Sequence, residues 1–377
     1  MYTQLDLSKV ISLRKSVIDT HKILELFGVD TDPIIGIDIG STAVKVLQLG
    51  TSGDRVSVEH YFIEPLEPGV VVEKNIVNTE RVIEAIKTAI LKSGITTKKV
   101  CVSIPSSMAI TRVIKMSSDL SDKDIGSEIE LEAERYVPYK LNEINLDYRV
   151  MGPAEEPELV NVMLAASKME NVSNMVNIIT EAGLVATIVD IDSFVMSRAF
   201  ELCSDKLPAK GKDKVLALFD IGSTITTLNI FKDQKIIYTR EQSFGSQQLI
   251  DEVQSIYGLT YDEALLAIQY ENLPKDFNLE ILGPFKQTIV QQLSRFCQFF
   301  FSSGDIGAID YIFLTGGCSS IYGLHQLIQD KLQIKTFAAD PFADMVISAE
   351  VKSEAFKKDV SRLMKCCGLA LRNLTND

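Results

Sequence analysis

The pentapeptide Asp38-Ile39-Gly40-Ser41-Thr42 returns letter for letter as Asp220-Ile221-Gly222-Ser223-Thr224, each time between two apolar, β-rich runs. Repetition at this separation means that two halves open with the same strand–turn–strand unit, so the chain is a pseudo-duplicate. A Gly-Ser-Thr turn gathers backbone N–H groups and two hydroxyls around one point, a nest suited to phosphate oxygens. The aspartates before the turns, Asp38 and Asp220, are oxygen donors of the kind that holds a hydrated Mg²⁺. Two such turns facing each other can clamp a polyphosphate. A third element, Thr315-Gly316-Gly317 with Ser319 just beyond, follows the apolar strand YIFL and precedes a helix. Glycines there let a flat base and its ribose approach the backbone closely. No G-x-x-x-x-G-K-[ST] is present, and neither repeat has G-x-G-x-x-G spacing, so P-loop and dinucleotide-binding fingerprints are excluded.

Composition narrows the function classes further. The net charge of −13 repels nucleic acid and anionic membranes, so no nucleic-acid partner is expected. Six cysteines at 101, 203, 297, 318, 366 and 367 show no C-x-x-C and keep away from the histidines at 21, 60 and 325, which argues against zinc. In a chain of 377 residues they read as free thiols of a reducing compartment. The adjacent Cys366 and Cys367 are either two helix residues facing different ways or a redox pair. No run approaches the roughly 20 apolar residues of a spanning helix, and MYTQLDLSKV lacks a signal-like apolar stretch. The expected location is the cytoplasm, without direct membrane insertion.

The pattern along the chain gives an α/β organisation. Residues 1–33 form a polar lead-in with Val10, Leu13, Val17, Leu24 and Phe27 near helical spacing. A first domain, 34–206, is expected to comprise a part 1A (34–103 and 184–206) and an inserted α+β unit over about 104–183. Within 1A, TERVIEAIKTAILKSG reads as a helix with Thr79 as N-cap and Gly94 as its stop. The insert's helix bears Glu128, Glu130, Glu132 and Glu134 as a solvated face. The segment LPAKGKDK opens a second domain, 207–342, and 343–377 ends in one helix, about 353–373, that returns to the first domain.

The repeat and the Thr-Gly-Gly loop together resemble the actin/Hsp70/sugar-kinase superfamily, and the insert, which has no equivalent at this point in sugar kinases and Hsp70s, resembles the 1C subdomain of FtsA-like proteins. The wording IPSSMAITRVIKM, IELEAERYVPYKLNEINLDYRVMG, AASKMENV, EAGLVATIVDIDSFVMSRAF and YTREQSFGSQQLIDEVQSIYGLTYDEA is similar to its FtsA-like branch and, within that branch, to the PilM family of type IV pilus assembly proteins, from about Ile34 to Arg372. The resemblance implies an actin-like (ribonuclease H-like), duplicated two-domain nucleotide clamp with the insert as subdomain 1C. It implies ATP with Mg²⁺ between the domains, on Asp38, Gly40, Ser41, Thr42, Lys45, Asp220, Gly222, Ser223, Thr224, Gly245, Arg295, Gly316, Gly317 and Ser319. Lys45 is either a phosphate-reaching lysine, as in actin-like members, or a strand residue facing solvent.

The resemblance also implies a cytoplasmic scaffold that captures the N-terminal tail of a PilN-type inner-membrane protein between 1A and 1C, with Pro105, Ser106, Tyr136, Pro138 and Tyr139 as groove candidates. Peripheral location at the inner membrane through that partner, contacts with other pilus components and motors, and self-association belong to the same expectation. Turnover is expected to be slow or absent; Asp190 and Asp192 are candidates to orient a metal or water, with helix capping as the other role for Asp192. Two departures bear on the nucleotide contacts: Gly-Gly after the second hairpin is Gly245-Ser246 here, and the helix around Arg295 has lost acidic positions. The alternatives within the superfamily are an FtsA-like division protein, which wants a C-terminal amphipathic anchor, and a small-molecule kinase, which lacks a place for this insert.

Overall fold

A computed structural model describes residues 33–374 apart from 270–272, 275, 305 and 306. The lead-in over 1–32 lies outside the described residues, as does the end of the chain after 374. Pro33 onward forms one compact unit.

The repeat becomes two sheets of one topology. In the first half, β1 (Ile35–Ile39), β2 (Ala43–Ser52) and β3 (Arg55–Pro65) form an antiparallel meander. A small hairpin, β4 (Val71–Val72) and β5 (Asn75–Ile76), leads to α1 (Thr79–Ser93), after which β6 (Lys99–Ile104) pairs parallel to β1. Asn78, not Thr79, caps α1: its side chain accepts a hydrogen bond from the Arg81 amide at 3.1 Å, because Asn78 is the last residue with extended backbone.

The insert follows as β7 (Ala109–Ser117), α2 (Asp122–Tyr136), β8 (Ile144–Pro153) and β9 (Leu159–Lys168), a separate antiparallel sheet ordered β7-β9-β8. Ser121 caps α2 through the Asp124 amide, and Ile125 and Ile129 cover Ile114, Val162 and Leu164. The helix α3 (Met169–Glu181) returns the chain to β10 (Val185–Ile191), parallel to β6, and α4 (Asp192–Ser204) leaves the first half.

The second half repeats the plan: β11 (Val215–Ile221), β12 (Thr226–Lys232) and β13 (Lys235–Gln242) form the meander, and α5 (Gln247–Tyr257), α6 (Tyr261–Gln269) and α7 (Gly283–Ser302) follow. Then β14 (Tyr311–Thr315) pairs parallel to β11, and α8 (Leu324–Leu332) leads to β15 (Lys335–Ala338), parallel to β14. The orders β10-β6-β1-β2-β3 and β15-β14-β11-β12-β13 correspond strand for strand in sequence and in direction. A short β16 (Val346–Ile347) adds to β3 at the edge of the first sheet.

Alternation along the strands divides the core. Val44 and Val46 face α1 and α3, whereas Leu47 and Leu49 face α4 and the chain's end. Val215, Ala217, Phe219 and Ile221 face α5, α7 and α8, whereas Leu216 and Leu218 face the same α4. Phe200 on α4 packs its ring 4.5 Å from Phe231 and 5.1 Å from Phe313, so one apolar cluster spans both halves.

The expected single terminal helix is broken into α9 (Ser353–Asp359), a 3-10 turn (Val360–Leu363) and α10 (Met364–Ala370). The Ser361 carbonyl is the reason: it accepts from Thr315 Oγ1 at 2.6 Å and from the Gly316 amide at 3.1 Å, tying the turn to the second half instead of to a helix ladder. Cys366 and Cys367 are fully buried free thiols; burial raises both, and Cys366 Sγ donates to the Gly36 carbonyl at 3.0 Å. They are packing residues against the first sheet and the shared core.

Candidate functional site

Equivalent ends of β1 and β11 bring the two repeated turns to the mouth of one cleft of about 1650 Å³ between the halves. Each turn is closed the same way, by the Gly40 amide on the Ala43 carbonyl at 3.0 Å and the Gly222 amide on the Ile225 carbonyl at 3.1 Å. The turns meet: Ser41 Oγ lies 3.3 Å from Thr224 Oγ1. A second bridge across the opening joins Lys74, beside β5, to Glu241 on β13. Asp38, Gly40, Ser41, Thr42, Lys45, Asp220, Gly222, Ser223 and Thr224 all line the cleft, with Gly316, Gly317 and Ser319 on its wall.

Gly245 does not line the cleft but supports it. A Cβ there would stand 2.2 Å from the Ser223 carbonyl, so only glycine lets the start of α5 lie against the second turn. Ser246 and Gln247 then donate their amides to the Gly222 and Ser223 carbonyls at 3.1 and 2.9 Å. The Ser223 hydroxyl is buried without a hydrogen-bond partner. Buried polar groups are paired in all but a few instances, so an orphaned hydroxyl in a cleft asks for a ligand oxygen.

Cross-strand register explains the lysine seven positions after Asp38. Asp38 pairs with Lys45 across the β1–β2 hairpin, and Lys45 Nζ reaches Asp38 Oδ2 at 2.8 Å. The equivalent pair in the second half is Asp220 with Thr227, which leaves Asp220 without such a cation. Lys365 on α10 joins the site without any motif in the sequence that marks it. Its ammonium lies 3.2 Å from Asp38 Oδ1 and 3.3 Å from Asp192 Oδ2. The one signal in the sequence was a lone lysine inside LMKCCGLAL, where a buried charge needs a partner.

Burial pushes Asp38 upward, but Lys365 and Lys45 outweigh it and hold the carboxyl well below the carboxylate range. Burial pulls Lys365 downward, and Asp192, Asp38 and Asp220 reverse this and raise it. Asp220 is raised by burial, with Asp38 adding to the effect and the cleft lysines only partly offsetting it.

The candidate acids separate. Asp192 faces the cleft, at the first turn of α4 and not as its cap; its Oδ1 accepts from Ser103 Oγ at 2.7 Å. Asp190 is turned away from it. Buried beside Arg198 at 3.1 Å and Arg372 at 3.6 Å, it ties β10 to α4 and to the chain's end. Arg295 is also elsewhere: with Arg240 and Phe299 it lines a separate surface pocket of about 610 Å³, because α7 presents that face to β13 and not to the cleft.

The groove candidates sit at one end of the insert. Pro105 and Ser106 open the turn into β7, and Ser106 Oγ accepts from the Ser193 amide at 3.0 Å while lining the cleft. Tyr139 packs with Val137, Ile144 and Ala166, at the end of the insert's sheet where Ser167 Oγ bonds the Met108 carbonyl. Pro138 is exposed, and the Tyr136 hydroxyl donates to Glu132 at 3.0 Å.

The orphaned hydroxyl, the paired turns and the lysines fit a polyphosphate. They do not fit Mg²⁺ at Asp38, where both carboxylate oxygens already hold an ammonium, and among the described residues no three acidic, histidine or cysteine side chains group as a metal site. A duplicated α/β fold closing a cleft between equivalent hairpins is the actin-like fold. The structure of a PilM–PilN type IV pilus biogenesis complex is similar at TM-score 0.70 and 23% identity, over 91% of this chain and 99% of that one. The ethanolamine utilization protein EutJ from Carboxydothermus hydrogenoformans is similar at 0.52 and 12%, over 90% and 89%. The family model for the type IV pilus assembly protein PilM matches residues 36–374, so the chain belongs to that family. Among the described residues no helix is long and apolar enough to cross a membrane.

Proposed function

We propose that this chain is a nucleotide-loaded scaffold of type IV pilus assembly, holding ATP in the cleft and the N-terminal tail of a PilN-type membrane protein beside the insert. The observation that carries the nucleotide is the meeting of the two repeated turns around the unpartnered Ser223 hydroxyl. Ser41, Thr42, Ser223 and Thr224 would hold phosphate oxygens, Lys45 and Lys365 would supply positive charge, and Gly316 and Gly317 would lie along the base and ribose. Domain 1, with its 1C insert, and domain 2 are then the jaws of the clamp. Bound nucleotide shifts the jaws only by its differential affinity for open and closed states.

Family membership supports the partner, and the sheet order of the insert suggests how it docks. Both β7 and β8 are edge strands of that sheet, so an extended tail can add to either by backbone hydrogen bonds. Pro105, Ser106, Tyr136, Pro138 and Tyr139 are the proposed contacts around that end. The membrane address then comes from the partner.

Calorimetric titration with ATP tests the cleft. Wild-type protein should bind one ATP, Ser223→Ala should weaken binding about threefold, and Ser223→Asp should weaken it by about 100-fold or more through charge repulsion. Equal affinity of Ser223→Asp and wild type overturns the assignment.

A further inference from the structure

We infer that this chain binds its nucleotide without a divalent cation, with Lys365 as a tethered cation where Asp38 and Asp192 converge. The inference rests on the nucleotide reading above and concerns what neutralises the site. Asp38, only 4% exposed, has no oxygen left for a hydrated ion: Lys45 holds Oδ2 at 2.8 Å and Lys365 holds Oδ1 at 3.2 Å. The second acid at that wall, Asp192, shares the same ammonium at 3.3 Å, and its other oxygen takes the Ser103 hydroxyl at 2.7 Å. A divalent ion there would have to displace two ammonium groups and then stand beside them against their repulsion.

Lys365 is also not a wandering surface lysine. It is carried on α10, whose neighbouring Cys366 bonds the Gly36 carbonyl at 3.0 Å and whose Gly368 lies against the α4 backbone. The helix therefore delivers the ammonium to one place, facing the turn that follows Asp38. Asp220 faces Thr227 across its hairpin where Asp38 faces Lys45, and among the described residues it joins no group of three side chains that could hold a metal ion. Each ammonium has three N–H donors, so Lys45 and Lys365, while held by Asp38 and Asp192, would share the remaining donors with the phosphates, the contact a metal would otherwise make.

The test uses the full chain, stripped of nucleotide and metal, titrated with a fluorescent ATP analogue in EDTA and in excess magnesium. Wild type should give dissociation constants within about threefold of each other, whereas Lys365→Met, which leaves room beside Asp38, should bind at least about tenfold more tightly with magnesium than without. Magnesium alone should raise the melting temperature of Lys365→Met and not that of wild type. Wild-type binding only in magnesium overturns the inference while keeping the nucleotide reading. Binding in neither condition overturns both. If Lys365→Met does not fold, the wild-type comparison alone decides.

Discussion

At the residue scale the cluster beside the first turn sets three carboxylates, Asp38, Asp192 and Asp220, against two ammonium groups, Lys45 and Lys365. Asp38 and Lys365 stabilise the fold together, and the signs of their shifts say when. Asp38 is depressed from its ordinary 3.8, so its contribution is complete above that value and is lost as pH falls through the folded value. Lys365 is raised from 10.5, so its contribution is complete below 10.5 and is lost only as pH rises through the higher folded value. Asp220 has the opposite sign for a carboxylate. Its raised value means that the folded state prefers the proton, so stability is given up as pH climbs from 3.8 through the folded value. Asp220→Asn removes that penalty and should stabilise the protein at neutral pH by about 1 kcal/mol, the scale of an uncompensated buried polar group. Urea unfolding at pH 7 and pH 4 checks this: the gain should be present at pH 7 and shrink at pH 4, and a loss of stability at pH 7 contradicts it. The two turns of this candidate site are legible in the sequence, because the DIGST repeat marks both, while the seven-residue spacing leaves Lys45 open between a phosphate-reaching lysine and a strand residue facing solvent. Lys365 is not legible there, since its partners are more than 170 positions away and only the fold of α10 against β1 brings them together.

At the element scale, α4 and α10 are the two helices that both sheets share. They approach so closely that a Cβ on Gly368 would stand 2.0 Å from the Val195 carbonyl, and Arg198 on α4 donates to the Gly368 carbonyl at 2.9 Å. Gly368→Ala must therefore push the helices apart. It should cost about 1–3 kcal/mol, as overpacking does, seen as a lower urea midpoint with little change in slope. A midpoint equal to wild type would mean that the crossing is looser than described. The break in the expected terminal helix belongs to the same junction. Helical periodicity over residues 353–373 could not show it, because the cause is a tertiary bond from Thr315 and Gly316 to the Ser361 carbonyl. Asp190 departs from expectation for a related reason: an acid at a strand end reads as a site residue, whereas its arginine partners come from α4 and from the chain's end.

At the scale of the whole molecule, duplication does what repetition in sequence predicts: two sheets of one strand order set equivalent hairpins face to face. Among the described residues one apolar cluster around Phe200 spans both halves, so a ligand bound between the turns would act on a core that both share. The insert is rooted beside the same cleft, since Ser106 touches the first turn of α4 and lines the opening. Nucleotide and tail are therefore expected to be coupled, and coupling is reciprocal. The most direct measurement is fluorescence anisotropy of a labelled peptide copying the N-terminal tail of the host's PilN-type protein, titrated with the full chain with and without ATP. Saturable binding, at least about fivefold tighter with ATP, is the predicted result. No binding in either state, by protein shown to be folded and loaded with ATP, would contradict the scaffold account.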